Sequence, residues 1–160
     1  DRQIMENVMP LRPAPRLMSM RTLLTAALVT LLWTGCASTY RSDVPLYQQL
    51  GGVENIKTFT TKALNRVAAD PVGGRSFKGI KMPFLTESVS SYVCKVADGP
   101  CVYEGQDMKK THADLGLVGS EFDLLVQTLR EEMDAAGVPN GAKNELLRRL
   151  APSRRDMIAQ

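Results

Sequence analysis

The chain has one histidine, His112, and three cysteines, Cys36, Cys94 and Cys101. A lone imidazole can ligate a metal, move a proton or sit hydrogen-bonded in a core, and its surroundings choose among these. His112 lies in the stretch Tyr103-Glu-Gly-Gln-Asp-Met-Lys-Lys-Thr-His-Ala-Asp-Leu-Gly-Leu117. Asp107 is placed to cap a helix there, and Met108, His112 and Leu115 fall at i, i+4 and i+7 on one face. Gly116 is expected to end that helix, because glycine enters a left-handed cap without steric cost. The ring therefore points where the apolar residues point, which on these residues alone is most often a satisfied core histidine. Cys94 and Cys101 do not form a zinc motif, since no second pair accompanies them. The glycines at 51, 52, 73 and 74 do not open a strand-turn-helix phosphate loop, and a Ser-His-Asp or paired-carboxylate site has no support.

The elements that must position His112 read as helices. With 160 residues and 44% hydrophobic content, the chain can bury one ordinary core, and no period-two strand pattern occurs. Pro45 to Gly52 reads as a very short helix with a first-turn proline and a double-glycine stop. Ile56, Phe59, Ala63, Leu64 and Val67 trace an amphipathic helix from Glu54 to Ala69, ended by Asp70-Pro71. A glycine-bearing turn through Phe77 and Gly79 follows. Pro83 then sits in a first turn, and Leu85, Val89, Tyr92, Val93 and Val96 form the next stripe. Beyond His112, Ser120 is expected as an N-cap with Asp123 three residues on, and Phe122, Leu125, Val126, Leu129 and Met133 mark a helix closing at Gly137. Leu146, Leu147, Leu150, Met157 and Ile158 mark a last helix, kinked at Pro152.

The first 35 residues read as upstream sequence followed by a secretory signal, with a basic start at Met18 to Arg21, an apolar run from Leu23 to Trp33, and Thr34-Gly35-Cys36. A small residue before cysteine resembles a bacterial lipobox, which would make Cys36 the lipid-bearing residue that holds the protein to a membrane. Trp33 departs from the leucine usual three positions before that cysteine. Residues 36–44 read as a polar tether and 45–160 as the domain, exported to the periplasmic side. In an exported protein, cysteines flanking the Asp98-Gly99-Pro100 turn fit a disulfide between Cys94 and Cys101, the alternative being two free packed thiols. The net charge of +3 is concentrated in the leader: past Cys36 the balance is 20 − 4 = 16 basic against 17 − 2 = 15 acidic residues. That gives no electrostatic case for nucleic acid.

Several short motifs recur in one order: Leu46-Tyr47-x-x-Leu50-Gly51-Gly52, Arg66-Val67-x-Ala69-Asp70-Pro71, Phe77-x-Gly79, Gly99-Pro100, Tyr103-x-Gly105, Met108, His112, Leu115-Gly116-Leu117 and Gly137-Val138-Pro139. Together they resemble the group I truncated haemoglobins, over about Leu46 to Ile158. The resemblance implies an all-α, globin-like, two-over-two helical sandwich holding haem b. His112 would be the proximal iron ligand, with its second ring nitrogen within reach of the Met108 carbonyl. Phe77 and Met108 match haem contacts. Leu64, Leu85 and Val89 match the distal wall, and Leu117, Phe122 and Val126 the remaining lining. An apolar lining is core in any case, so these positions do not by themselves require haem.

The departure from the family is distal. Members commonly carry tyrosine at the position of Leu64 and glutamine at or near Leu85 or Val89, donors that hold bound dioxygen. Tyr92 or Thr86 could stand in if the helix is rotated. With one imidazole in the chain, the expectation is five-coordinate ferrous iron open to dioxygen, nitric oxide or carbon monoxide, with fast dioxygen release. Nitric oxide dioxygenase or peroxidase chemistry would need an electron donor or peroxide, and the chain carries no flavin or nicotinamide site. The rival reading is a haem-free, globin-shaped lipoprotein acting as a structural or interaction module.

Overall fold

Residues 43–158 are described by the computed structural model, and no strand occurs among them. The signal sequence read over 1–35, Cys36 and most of the tether lie outside the described residues. The helices are α1 (Leu46–Gln49), α2 (Gly52–Ala69), α3 (Met82–Val96), α4 (Met108–His112), α5 (Gly119–Ala135), α6 (Asn140–Leu150) and α7 (Ser153–Met157), with a 3-10 turn at Gly73–Phe77 between α2 and α3.

Helix α2 is the centre of the fold, packed against α1, α3, α5 and the 3-10 turn. Its buried stripe is Ile56, Phe59, Thr60, Ala63, Leu64 and Val67, the helical period that the sequence displays. Phe59, Ile56 and Ala63 meet Leu50, Val93, Leu129, Met133 and Leu146 in the main core. Exposed ion pairs reinforce the outer edge of the α2–α5 contact, where Arg66 reaches Glu131 and Glu132, both at 2.7 Å. Such pairs contribute little next to the apolar stripe.

Asp70 ends α2 and starts the following turn. Its Oδ1 accepts from the backbone N–H of Val72 at 2.7 Å and of Gly73 at 3.1 Å. Gly73 is required for close approach: a Cβ there would stand 2.5 Å from Val67 Cγ1. The start of the turn thus lies close on α2, and Phe77 ends it.

Three sequence expectations are corrected. Helix α5 begins at Gly119 with Val118 as its cap residue, not with a Ser120–Asp123 box, because Glu121 supplies the side chain that accepts from the Val118 N–H. The C-terminal stretch is two helices rather than one kinked helix: Pro152 precedes Ser153, the first residue of α7, and its missing N–H breaks the ladder after Leu150. Helix α4 stops at His112, so Leu115 is not on its face and is 41% exposed.

Candidate functional site

His112 ends a helix of 5 residues, too short to be stable on propensity alone. Asp107 caps it, its carboxylate accepting from Lys109 N at 3.0 Å and Lys110 N at 3.3 Å. The half-buried His112 ring places Nδ1 2.8 Å from the Met108 carbonyl oxygen. A carbonyl can only accept, so Nδ1 carries the proton and the lone pair lies on Nε2. Gly116, with φ 57°, turns the chain just beyond.

The segment leading into α4 has no regular structure and is fastened to α3. Cys94 and Cys101 are joined, with S–S 1.98 Å and Cα–Cα 5.8 Å. Tyr103 stacks edge-on against Tyr92 of α3 with ring centroids 5.2 Å apart, and its hydroxyl donates to the Gln106 carbonyl at 3.2 Å. Burial, with Tyr92 as the lesser cause, pushes the Tyr103 phenol up. Helix α4 also packs on α7. There the Ser153 hydroxyl lies 2.9 Å from that of Tyr92.

The residues matched to the distal wall stand on α2 and α3, which pack together. Leu64 is 3% exposed, while Leu85 and Val89 are half-buried. The polar alternatives on α3 have other partners. The Thr86 hydroxyl donates to the Pro83 carbonyl at 3.1 Å, the Ser90 hydroxyl to the Thr86 carbonyl at 2.6 Å, and Tyr92 pairs with Ser153. Thr60, one turn before Leu64, has a buried hydroxyl with no hydrogen-bond partner.

Phe77, Met108, Leu117, Phe122 and Val126 are all half-buried, and none of them belongs to the main core or packs against it; Val89 does pack against it. The chain thus keeps a set of large apolar side chains apart from its core, on the turn, α4, α5 and the segment between the two helices. A separate surface groove of about 950 Å³ lies elsewhere, lined in part by Leu46, Asp98, Glu145 and Arg149, and includes none of them.

Sequence reasoning missed one buried polar centre. Glu121 is 5% exposed, the one acidic residue among the buried polar side chains of the described residues. Its Oε2 accepts from Arg75 Nη2 at 2.5 Å and from the Val118 N–H at 3.0 Å, and its Oε1 from the Ser76 hydroxyl at 2.6 Å. Arg75 also donates to the Gly116 carbonyl at 3.2 Å. Burial pushes the Glu121 carboxyl up, but Ser76, the Val118 amide and Arg75 together hold it below its ordinary value. The local signal was a glutamate three residues after Val118. Its partners 45 and 46 residues upstream left no trace in any window.

Compared with known proteins, residues 45–159 match the family described as bacterial-like globin. The chain is a bacterial-like globin. Among relatives, it is 30% identical over 107 residues to the group 1 truncated hemoglobin GlbN of Mycolicibacterium paratuberculosis, covering 67% of this chain and 79% of the relative. It is 25% identical over 115 residues to the group 1 truncated hemoglobin of Tetrahymena pyriformis, covering 72% and 95%. The crystal structure of that Tetrahymena protein in its Fe(III) form superposes with a TM-score of 0.68, over 72% of this chain and 98% of the other. The 2/2 hemoglobin of Synechococcus, solved with covalently attached heme, also gives 0.68 at 22% identity and agrees in fold. The globin therefore has the all-α, two-over-two architecture.

The residues present fit haem on two observations of this structure. The donor set offers one imidazole whose Nδ1 is already bonded, leaving Nε2 as the donor atom. The half-buried apolar side chains outside the core are of the kind that lines a flat apolar cofactor.

Proposed function

We propose that this globin binds diatomic gases through His112 and releases dioxygen quickly. Haem is the cofactor of the family and supplies an iron centre that takes dioxygen, nitric oxide or carbon monoxide. His112 would ligate through Nε2, and the bond from Nδ1 to the Met108 carbonyl carries this reading, because it fixes the tautomer and turns the ring. Phe77, Met108, Leu117, Phe122 and Val126 would cover the macrocycle and keep water from it.

On the other face, Leu64, Leu85 and Val89 present hydrocarbon where a donor would hold partially charged dioxygen. The alternatives, Tyr92 and Thr86, are bonded to Ser153 and Pro83. A hydrogen bond to a charged group contributes ~1.5–3 kcal/mol, so its absence corresponds to dioxygen release faster by roughly 10-fold to 100-fold. Carbon monoxide and nitric oxide depend less on such a bond. The proportions favour sensing, scavenging or redox chemistry over storage.

The test is the optical spectrum of the haem-reconstituted full chain beside His112→Ala. The expected result is a stoichiometric Soret band that shifts with carbon monoxide and is lost or altered in the variant. A reduced protein that is low-spin and six-coordinate without added ligand would contradict the open distal face. A folded, helical wild type that takes up no haem would leave the haem-free scaffold as the better reading.

A further inference from the structure

We infer that Glu121 is the positioning residue of the haem pocket on the side of His112, holding three lining segments in register before haem arrives. The inference rests on the reading of Phe77, Leu117 and Phe122 as haem contacts. Each of these is adjacent in sequence to a group in the Glu121 cluster. Phe77 follows Ser76, whose hydroxyl donates to Oε1 at 2.6 Å. Leu117 lies between Gly116, whose carbonyl accepts from Arg75, and Val118, whose N–H donates to Oε2. Phe122 follows Glu121 itself on the first turn of α5.

One carboxylate therefore ties the Arg75 and Ser76 side chains of the 3-10 turn and the Val118 N–H of the segment leaving the histidine helix to the start of α5, with Arg75 reaching on to the Gly116 carbonyl. None of the three lining residues packs against the main core, so that core does not supply their register. A carboxylate suits the task because it accepts several bonds at once in a fixed fork. Its burial makes the arrangement all or nothing, since a buried charge with one partner removed is strongly disfavoured. Arg75 completes the clamp while remaining half-exposed, so its guanidinium keeps much of its hydration. Glutamine at position 121 would keep acceptance from one or two donors but would turn an amide N–H toward Arg75.

The experiment compares the full chain with Glu121→Ala, Glu121→Gln and Arg75→Gln after haem reconstitution. Haem loss is followed by transfer to excess apomyoglobin, and the haem methyl signals are recorded by proton NMR of the cyanide-bound ferric proteins. Losing charged hydrogen bonds should speed haem loss about 10-fold or more in Glu121→Ala and by less in the other two. The methyl signals should shift or double, because the lining residues no longer hold one arrangement. Faster loss with unchanged methyl shifts would make Glu121 a support of global stability only and overturn the assignment. Loss within about twofold of wild type in variants of native helicity would overturn it equally. If Glu121→Ala does not fold, Glu121→Gln and Arg75→Gln decide by the same criteria. If the wild type takes up no haem, the functional reading fails by itself. The positioning role is then read from amide exchange at Leu117 and Val118 in the haem-free chain: at least 10-fold faster exchange in Glu121→Gln supports it, and unchanged exchange overturns it.

Discussion

The two groups of residues proposed to face the haem are built by different physics. The wall carrying Leu64, Leu85 and Val89 consists of two helices of 18 and 15 residues packed along apolar stripes. Its hydroxyls at Thr86 and Ser90 bond to carbonyls of their own segment. The His112 wall hangs on a helix of 5 residues with no buried side chain. Besides packing on α7, it is held by a disulfide, an aromatic stack on Tyr92 and the carboxylate of Glu121. Apolar packing is non-directional and tolerates substitution of similar volume, whereas a fork of hydrogen bonds or a covalent bridge fixes one geometry. On the proposed reading, directional bonding stands where a ligand ring would be aimed and hydrocarbon where a small gas would enter and leave.

The sharpest way to break the contrast is to put a directional donor on the apolar wall. Leu64→Tyr should slow dioxygen dissociation by roughly 10-fold to 100-fold while changing carbon monoxide release far less. Stopped-flow displacement of each gas checks this, and equal effects on both would argue for steric hindrance instead of a hydrogen bond.

The bridge on the other wall tests how far that wall depends on covalent fastening. Cys101→Ser opens the short loop closed by Cys94 and Cys101 and should cost about 2–3 kcal/mol in denaturant unfolding. Amide exchange should quicken between Ala97 and Asp107 and stay slow along α2. A uniform loss of protection across α2 and α3 would show that the two walls unfold as one unit.

The smallest expected effect is acid sensitivity. Glu121 has its carboxyl held below the ordinary value of 4.5, so it binds a proton more weakly folded than unfolded. Its contribution to stability is complete above that ordinary value and declines as pH falls through the lower folded one. Unfolding midpoints measured from pH 6 down to pH 3 should fall less steeply in Glu121→Gln than in the wild type. Parallel profiles would remove Glu121 from the acid response.

Reading the sequence recovered the buried stripe of α2 because burial on one face imposes a period of 3.6 along the chain, whereas of the stripes expected in α3 and α5 only Val93, Leu129 and Met133 are buried and the rest are half-buried. His112 and Met108 were legible together for the same reason, being one helical turn apart, and so was the Asp107 cap. The span of the histidine helix was overestimated because Leu115 fits the period although the helix has already ended at His112. The start of α5 was misplaced because Ser120 is a better cap by type than Val118, and only the Glu121 side chain makes Val118 work.

By itself the sequence determined which faces are apolar, where prolines and glycines break them, and that one imidazole stands one helical turn after Met108, since all of these are local in the chain. Tertiary structure alone decided that Tyr92 pairs with Ser153 across 61 residues. It also decided that Arg75 and Ser76 meet Glu121 across 46 and 45 residues. Hydrogen bonds between distant residues impose no periodicity and need only one polar atom at each end, so they become visible only when packing has brought the ends together.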